Sequence, residues 1–189
     1  MTREFPEGGL VLVAGDGWAL LKWDDSDAYR KGISRLNGEL DGRAEGTKAL
    51  DFVGVSGQGD LYLIELKDFR GHRIENKLRQ AGELPLEVAL KVRDTLAGVL
   101  GAAREPMASD EIAAVVNALL RVRASIRVIV CVAEDLPIDR RKQDVIASER
   151  LSQLKKRLSW FTRKVFVASP DDMIRVAPGL YTRNRAVEA

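Results

Sequence analysis

Cysteine and histidine are nearly absent from this chain of 189 residues, which contains one of each, Cys131 and His72. A single cysteine excludes a disulfide framework and zinc sites built from pairs of cysteines. A single histidine excludes metal sites with two or three histidine ligands, and it leaves a serine or cysteine hydrolase only His72 as its base. The side chains that remain for catalysis are carboxylates and lysines, with or without a bound metal.

Long apolar runs are also missing from the sequence. The first apolar run, Leu10–Ala14, is too short for the core of a signal peptide. No segment approaches the roughly 18 consecutive apolar residues of a membrane helix. An unpaired cysteine is usual in a reducing compartment. We therefore expect a cytoplasmic protein that makes no membrane contact.

The spacing of apolar residues predicts strands that alternate with helices. Strands are predicted at 10–13, 48–56, 61–69, 126–132 and 164–169, and helices from a cap at 24–26 to Leu40, at 86–103, after Ser109 and at 149–161. Late strands separated by helices usually run parallel, so the order predicts an α/β fold with a central mixed β-sheet flanked by helices on both faces. No linker or repeat divides the chain, and residues 1–189 are predicted to form one domain.

Three charged residues interrupt the apolar strands of a predicted β-hairpin. Asp51 lies in its first strand, and Glu65 and Lys67 lie in its second. Residues two apart on a strand share a face, so Glu65 and Lys67 project together. A three-residue turn at 57–59, with Gly59 in the left-handed conformation, places Asp51 directly opposite Glu65 on that face. Because a two- or four-residue turn puts Asp51 on the wrong face, the three charges predict an odd-numbered turn or a bulge.

Two carboxylates beside a lysine suit the hydrolysis of a phosphodiester bond. Carboxylate oxygens are the ligands that Mg²⁺ prefers, and Mn²⁺ is the usual substitute. A metal held there lowers the pKa of a bound water, and a lysine orients or deprotonates that water and offsets charge on the phosphate. The first 65 residues carry 7 basic and 12 acidic side chains, whereas residues 121–164 carry 12 basic and 5 acidic ones. This distribution is typical of a phosphate-binding protein with an acidic metal site.

Asp51, followed after a gap of 13 residues by Glu65-Leu66-Lys67, resembles the motif of the PD-(D/E)xK nuclease superfamily. The predicted elements over about residues 24–169 are similar to the restriction-endonuclease-like core of that superfamily, with residues 10–13 or a missed segment as its third strand. The resemblance implies that Asp51, Glu65 and the Leu66 carbonyl bind Mg²⁺ and that Lys67 positions the attacking water. Leu50 stands where the superfamily has a proline.

The same resemblance implies a further acidic residue near the first helix, for which Glu39 and Asp41 are both candidates. Contacts to the phosphates of nucleic acid are predicted for the basic residues that follow the motif, which are Arg70, Arg73, Lys77 and Arg79. The basic residues at 155–157, together with Arg163 and Lys164, are a second candidate for contact with DNA. Trp18, Trp23 and Trp160 are candidates for stacking on bases, although packing in or around the core is the favoured role for all three.

These observations predict a metal-dependent nuclease with Asp51, Glu65 and Lys67 as catalytic residues. DNA is the favoured substrate, and repair or defence is the expected setting. The alternative is a non-catalytic module of the same fold that binds nucleic acid or a protein partner. A homodimer is compatible with the nuclease hypothesis, because cutting both strands of a duplex requires two sites.

Overall fold

A mixed β-sheet forms the centre of the structure. The computed structural model describes residues 2–40, 43–71, 83–106, 108–135 and 140–185. Within these ranges the strands are β1 (Arg3–Glu7), β2 (Leu10–Ala14), β3 (Ala19–Lys22), β4 (Gly38–Leu40), β5 (Arg43–Glu45), β6 (Phe52–Val55), β7 (Leu61–Asp68), β8 (Ile126–Ala133), β9 (Lys164–Ala168) and β10 (Leu180–Asn184). The helices are α1 (Asp27–Lys31), α2 (Leu84–Ala102), α3 (Asp110–Leu120), α4 (Arg140–Leu158) and α5 (Met173–Val176), and short 3-10 turns lie at Ile33–Leu36 and Pro170–Asp172.

The strand order in the central sheet is β3-β6-β7-β8-β9. Strand β6 runs antiparallel to β3 and to β7, whereas β7, β8 and β9 run parallel to one another. Parallel neighbours require a crossover connection, and α2 with α3 provides the first one and α4 the second. The predicted α/β fold with a central mixed sheet is confirmed.

Three helices cover one face of the central sheet. Val88 of α2, Val115 of α3 and Leu154 of α4 belong to the same buried cluster as Leu63 of β7 and Val130 of β8. Because side chains alternate along a strand, Glu65 and Lys67 lie on the same face as Leu63 and therefore point towards these helices. None of the helices in the described part of the chain is long and apolar enough to cross a membrane.

Among the residues that the structure describes, the predicted layer of helices is present on one face only. On the opposite face a smaller antiparallel sheet, in the order β1-β2-β10, covers the central sheet together with the short helix α5. Leu12 of β2, Leu180 of β10 and Met173 of α5 share a buried cluster with Ile64 and Leu66 of β7. The central sheet is therefore enclosed on both faces, which explains why its middle strands are apolar on both sides.

The turn between β6 and β7 has the predicted geometry. Phe52 pairs with Ile64 and Val55 pairs with Leu61, and the Gly59 N–H donates to the Ser56 carbonyl oxygen at 2.7 Å. Gly59 has a φ of +79°, a left-handed conformation that glycine adopts at little cost. This register puts Asp51 next in line opposite Glu65, as the three charged residues predicted.

Several element boundaries differ from the expected ones. The helix after Ser26 stops at Lys31, because at Gly32 the backbone leaves the helical conformation (φ −100°, ψ −115°); Leu40 lies in β4 instead. The third antiparallel strand of the central sheet is the missed segment Ala19–Lys22, and residues 10–13 lie in the smaller sheet. Helix α4 begins at Arg140 rather than at residue 149, because its first turns have few apolar residues to mark them.

Helix α2 packs closely on Trp23 through Gly98. A methyl group at Gly98 would lie 2.7 Å from Trp23 Cζ2 and 2.9 Å from Ile33 Cγ2, whereas one at Gly101 of the same helix would meet nothing within 4 Å. We expect Gly98→Ala to lower the free energy of unfolding by about 1–2 kcal/mol, because overpacking outweighs the gain in helix propensity. Gly101→Ala should raise it by about 0.5–1 kcal/mol. Urea unfolding of both variants checks this, and equal effects would contradict the close packing.

Candidate metal and catalytic site

Three strands of the central sheet meet at the edge where the candidate residues lie. Strand β3 ends at Lys22, which pairs with Phe52 at the start of β6. The Trp23 N–H donates to the Asp51 carbonyl oxygen at 2.8 Å and extends the backbone pairing of β3 with β6 by one residue. Glu65 directly follows the β7 partner of Phe52. Asp51 and Glu65 are thus brought together by backbone pairing, and the chain leaves β3 beside them.

Asp51 is buried, with 5% of its surface exposed. Its Oδ2 accepts a hydrogen bond from the Leu66 N–H at 2.6 Å. Burial raises the pKa of Asp51 to about 8, and the charge of Glu65 contributes to the rise; the charge of Lys91 and the Leu66 N–H lower this pKa without cancelling the effect. A carboxyl group with this pKa keeps its proton at neutral pH unless a further cation is bound nearby.

Glu65 is fully buried and is paired with two lysines. Its Oε1 lies 2.8 Å from Lys67 Nζ and 2.6 Å from Lys91 Nζ, which reaches it from α2. Glu87, one helical turn before Lys91, has its Oε1 3.0 Å from Lys67 Nζ and 3.9 Å from Lys91 Nζ. The two lysines and two glutamates form a compact group that connects β7 to α2. Isolated charges at this depth would be strongly destabilising, and mutual pairing offsets that cost.

Lys67 is held in its charged form. Burial alone would lower the pKa of Lys67, but the charge of Glu65 and hydrogen bonds to Glu65 and Glu87 outweigh it and raise this pKa well above its ordinary value. Burial would raise the pKa of Glu87, yet the hydrogen bond from Lys67 and the charges of Lys67, Lys91 and Lys48 lower it. Lys67 is therefore suited to orienting a water and offsetting negative charge, and it is a poor general base.

Two further carboxylates lie beside Asp51. Oxygens of Glu7, Asp24 and Asp51 all lie within 4.8 Å of one another. Glu7 comes from the end of β1 in the smaller sheet and is paired with Lys22 at 3.0 Å, and Asp24 follows β3. Burial raises the pKa of Asp24, and the charges of Glu7 and Glu65 raise it further, against the opposing effect of Lys22 and Lys91. Acidic groups are thus concentrated at this end of the site, and they raise the pKa values of Asp24 and Asp51.

Two buried carboxylate oxygens in this region have no hydrogen-bond partner among the described residues. They are Asp24 Oδ1 and Glu65 Oε2. Buried polar atoms are normally satisfied, so each unpartnered oxygen indicates a missing donor or cation. Mg²⁺ and Mn²⁺ prefer carboxylate oxygens, and the donor set of Glu7, Asp24 and Asp51 fits either ion. Glu65 lies opposite Asp51 and stays a predicted ligand. The Leu66 carbonyl remains a predicted ligand.

The structure brings the three predicted catalytic residues, Asp51, Glu65 and Lys67, into one site. Arg70 lies at the end of β7, where its guanidinium is paired with Asp68 at 2.6 Å and donates to Asn184 Oδ1 at 2.5 Å. Its role as a phosphate contact stays a prediction. His72, Arg73, Lys77, Arg79 and Asp41 lie outside the described residues, and so does the side chain of Glu39.

Sequence reasoning missed four members of the site, which are Glu7, Asp24, Glu87 and Lys91. Glu87 and Lys91 are spaced i,i+4, and they share the inward face of α2 with Val88; two charges beside that apolar stripe are a signal that could have been used. The sequence around Asp24 predicts only a helix cap. Glu7 had no local signal, because its position depends on how the smaller sheet packs against the central one.

Known proteins give no guide to the function of this site. Comparison of the chain with protein-family models, with curated proteins and with solved structures gives no match. The geometry and chemistry of the residues themselves are therefore the basis for a functional proposal.

Asp51→Asn should stabilise the protein in the absence of divalent metal, and increasingly so as pH rises. In the folded protein the pKa of Asp51 is about 8, above the ordinary value of 3.8. Between pH 4 and pH 8 the unfolded chain therefore releases this proton while the folded protein keeps it, so ionisation of Asp51 lowers the free energy of unfolding as the pH rises. The decrease is complete only above pH 8. We expect a gain of about 2 kcal/mol or more at pH 8 and little gain at pH 4. Urea unfolding with chelator at both pH values measures it.

The matched control for this pH dependence is Asp27→Asn, an exposed residue of α1 paired with Lys31. Its effect on stability should be small, and it should not stabilise the protein at either pH. A stability gain from Asp51→Asn that is the same at both pH values would show that Asp51 is ionised in the metal-free protein.

Proposed function

We propose that this protein is a metal-dependent nuclease that hydrolyses phosphodiester bonds in nucleic acid, with DNA as the favoured substrate. The observation that carries the proposal is the convergence of Asp51, Glu65 and Lys67 at one end of the sheet, with two buried carboxylate oxygens that have no partner in the described part of the chain. Structural ion pairs rarely leave such oxygens unsatisfied, because an unpaired buried carboxylate oxygen is costly.

The carboxylates are the groups that would hold the metal. Glu65 Oε2 and Asp24 Oδ1 have no hydrogen-bond partner among the described residues, and Glu7 and Asp51 lie beside Asp24. A bound Mg²⁺ would lower the pKa of a water and offset the charge of a phosphate. The Leu66 N–H fixes the Asp51 carboxylate through Oδ2, so that Oδ1 keeps a defined direction in the site.

Lys67 supplies a permanent positive charge at the open side of the site. Its side chain is 23% exposed, whereas that of Glu65 is fully buried, so Lys67 is the more accessible of the two. From this position Lys67 can donate a hydrogen bond to a water or to a phosphate oxygen. Positive charge placed where negative charge develops in the transition state lowers the barrier to hydrolysis.

A basic surface at the end of α4 supports nucleic acid as the substrate class. Lys155, Lys156 and Arg157 are exposed there, and Trp160 is 62% exposed directly after them. Lysine and arginine neutralise phosphates, and an exposed indole offers a face for base stacking. This surface lies near the start of β9, at the opposite end of the sheet from Asp51, so it would contact a distant part of an extended strand.

The proposal is tested by incubating the protein with supercoiled plasmid, linear duplex, single-stranded DNA and RNA, with Mg²⁺, Mn²⁺ or chelator. Cleavage should require the metal. Asp51→Asn, Glu65→Gln and Lys67→Met should each reduce the rate by about 10²-fold or more, because each removes a group that acts on the reacting phosphate or its metal. Asp27→Asn and Lys31→Met are the matched controls, since they remove the same charges from an exposed pair on α1.

Two results would separate the nuclease from its alternative. Metal-dependent cleavage that the three site variants lose and the two control variants keep would establish the activity and identify the substrate. Salt-dependent binding of nucleic acid without cleavage of any substrate, and without a thermal shift on addition of Mn²⁺, would favour the non-catalytic module.

Asp24 and Glu7 should contribute to metal affinity. We expect Asp24→Asn to weaken Mn²⁺ binding by about tenfold or more, because it removes one charge and one unpartnered oxygen, and Glu7→Gln to have a smaller effect, because Glu7 is already paired with Lys22. Isothermal titration calorimetry measures both affinities. Unchanged affinity in Asp24→Asn, combined with lost affinity in Glu65→Gln, would restrict the metal to Asp51 and Glu65.

A further inference from the structure

Lys91 lies between the two carboxylates that the motif assigns to the metal. Its Nζ is 2.6 Å from Glu65 Oε1 and 3.8 Å from Asp51 Oδ1, and its side chain is 15% exposed. It extends from the second turn of α2, one turn after Glu87, and so approaches from the helical layer rather than from the sheet. Glu65 is therefore paired with two ammonium groups, those of Lys67 and Lys91. Of these two, Lys91 also lies within ion-pair distance of Asp51.

We propose that the Lys91 ammonium is an internal counter-cation, which occupies the space between Asp51 and Glu65 and which a divalent metal ion displaces when it binds. The inference rests on the proposed function, since it takes these two carboxylates as metal ligands. It adds a regulatory role for a residue outside the Asp51, Glu65 and Lys67 set.

The contacts of Lys91 show why it is replaceable. It makes one short hydrogen bond, to Glu65 Oε1, while its distances of 3.8 Å to Asp51 and 3.9 Å to Glu87 are too long for hydrogen bonds. Within the segments that the structure describes, Glu65 Oε2 has no hydrogen-bond partner. The Lys91 ammonium thus pairs with only some of the oxygens of Asp51 and Glu65, whereas a divalent ion binds several oxygens at once.

Electrostatic repulsion determines how Lys91 should affect the affinity of the site for a metal ion. A divalent ion and an ammonium a few ångströms apart repel each other by several kcal/mol at an effective dielectric constant of about 20. Either Lys91 moves away as the metal enters, or the metal binds weakly. In the metal-free protein the same ammonium offsets the charge of the fully buried Glu65 carboxylate. Lys91 therefore stabilises the metal-free site and opposes metal binding. Its removal should lower the stability of the metal-free protein and raise its affinity for the metal.

The first experiment measures Mn²⁺ affinity by isothermal titration calorimetry and thermal stability in chelator. Lys91→Met should bind Mn²⁺ at least about tenfold more tightly than the wild type, because the competing charge is gone, and it should melt at a lower temperature without metal. Lys91→Arg keeps the charge and should not bind more tightly. Lys31→Met, which removes an exposed lysine of α1, should match the wild type in both measurements.

The second experiment needs no variant at Lys91. Lysine acetylation of the wild-type protein, mapped by mass spectrometry with Mg²⁺ or with chelator, reports whether the amine becomes accessible. Labelling of Lys91 should rise severalfold when Mg²⁺ is added, because the ammonium leaves Glu65 for solvent. Labelling of the exposed Lys31 should stay constant and serves as the internal reference.

The outcomes distinguish this inference from the proposed function. If the wild type binds Mn²⁺ and Glu65→Gln does not, but Lys91→Met binds it no more tightly and Lys91 labelling does not rise, the metal site stands and the displacement of Lys91 is refuted. Lower stability together with weaker Mn²⁺ binding in Lys91→Met would likewise refute it and assign Lys91 a purely structural role. If the wild type binds neither Mn²⁺ nor Mg²⁺, both the nuclease proposal and this inference fail.

Discussion

The complete burial of the Glu65 carboxylate is the constraint on which the arrangement of the site depends. A carboxylate within an otherwise apolar strand requires positive charge close by, and two lysines provide it from different directions. Lys67 is fixed two residues away on the same strand, whereas Lys91 can reach Glu65 only if α2 packs across β7 at one rotation. The charge of one side chain thereby sets the position of the helix that closes the site. The close approach of Gly98 to Trp23 fixes the other end of that helix.

Much of the hairpin could be predicted from the sequence because residues close together in the chain determine its turn and its register. The glycines at 57 and 59 determine a three-residue turn, the turn determines the register, and the register brings Asp51 level with Glu65. Each step depends on neighbours a few residues apart. The central mixed sheet was predictable for a related reason, since apolar strands separated by helices leave few ways to pair.

The rest of the site could not be predicted because it depends on contacts between distant segments. Glu7 belongs to a strand whose position is set by the packing of one sheet on another, and no periodicity in residues 3–7 reports that packing. Asp24 is a residue type that is common in helix caps. Its position beside Asp51 follows only from the backbone hydrogen bond between Trp23 and Asp51. The missed strand β3 is four residues long, too short for a period-of-two pattern to be recognised.

The smaller sheet has a consequence for the order in which the site is completed. Its middle strand, β2, pairs with β1 on one side and with β10 on the other, so the support beneath Glu7 contains both the first and the last strands of the described chain. During synthesis on the ribosome, residues 180–184 emerge long after the hairpin that carries Asp51 and Glu65. The nascent chain thus forms the hairpin first and gains its fully supported Glu7 last. Removal of β10 would leave one edge of β2 without a partner strand and would weaken the sheet that holds Glu7 beside Asp24 and Asp51.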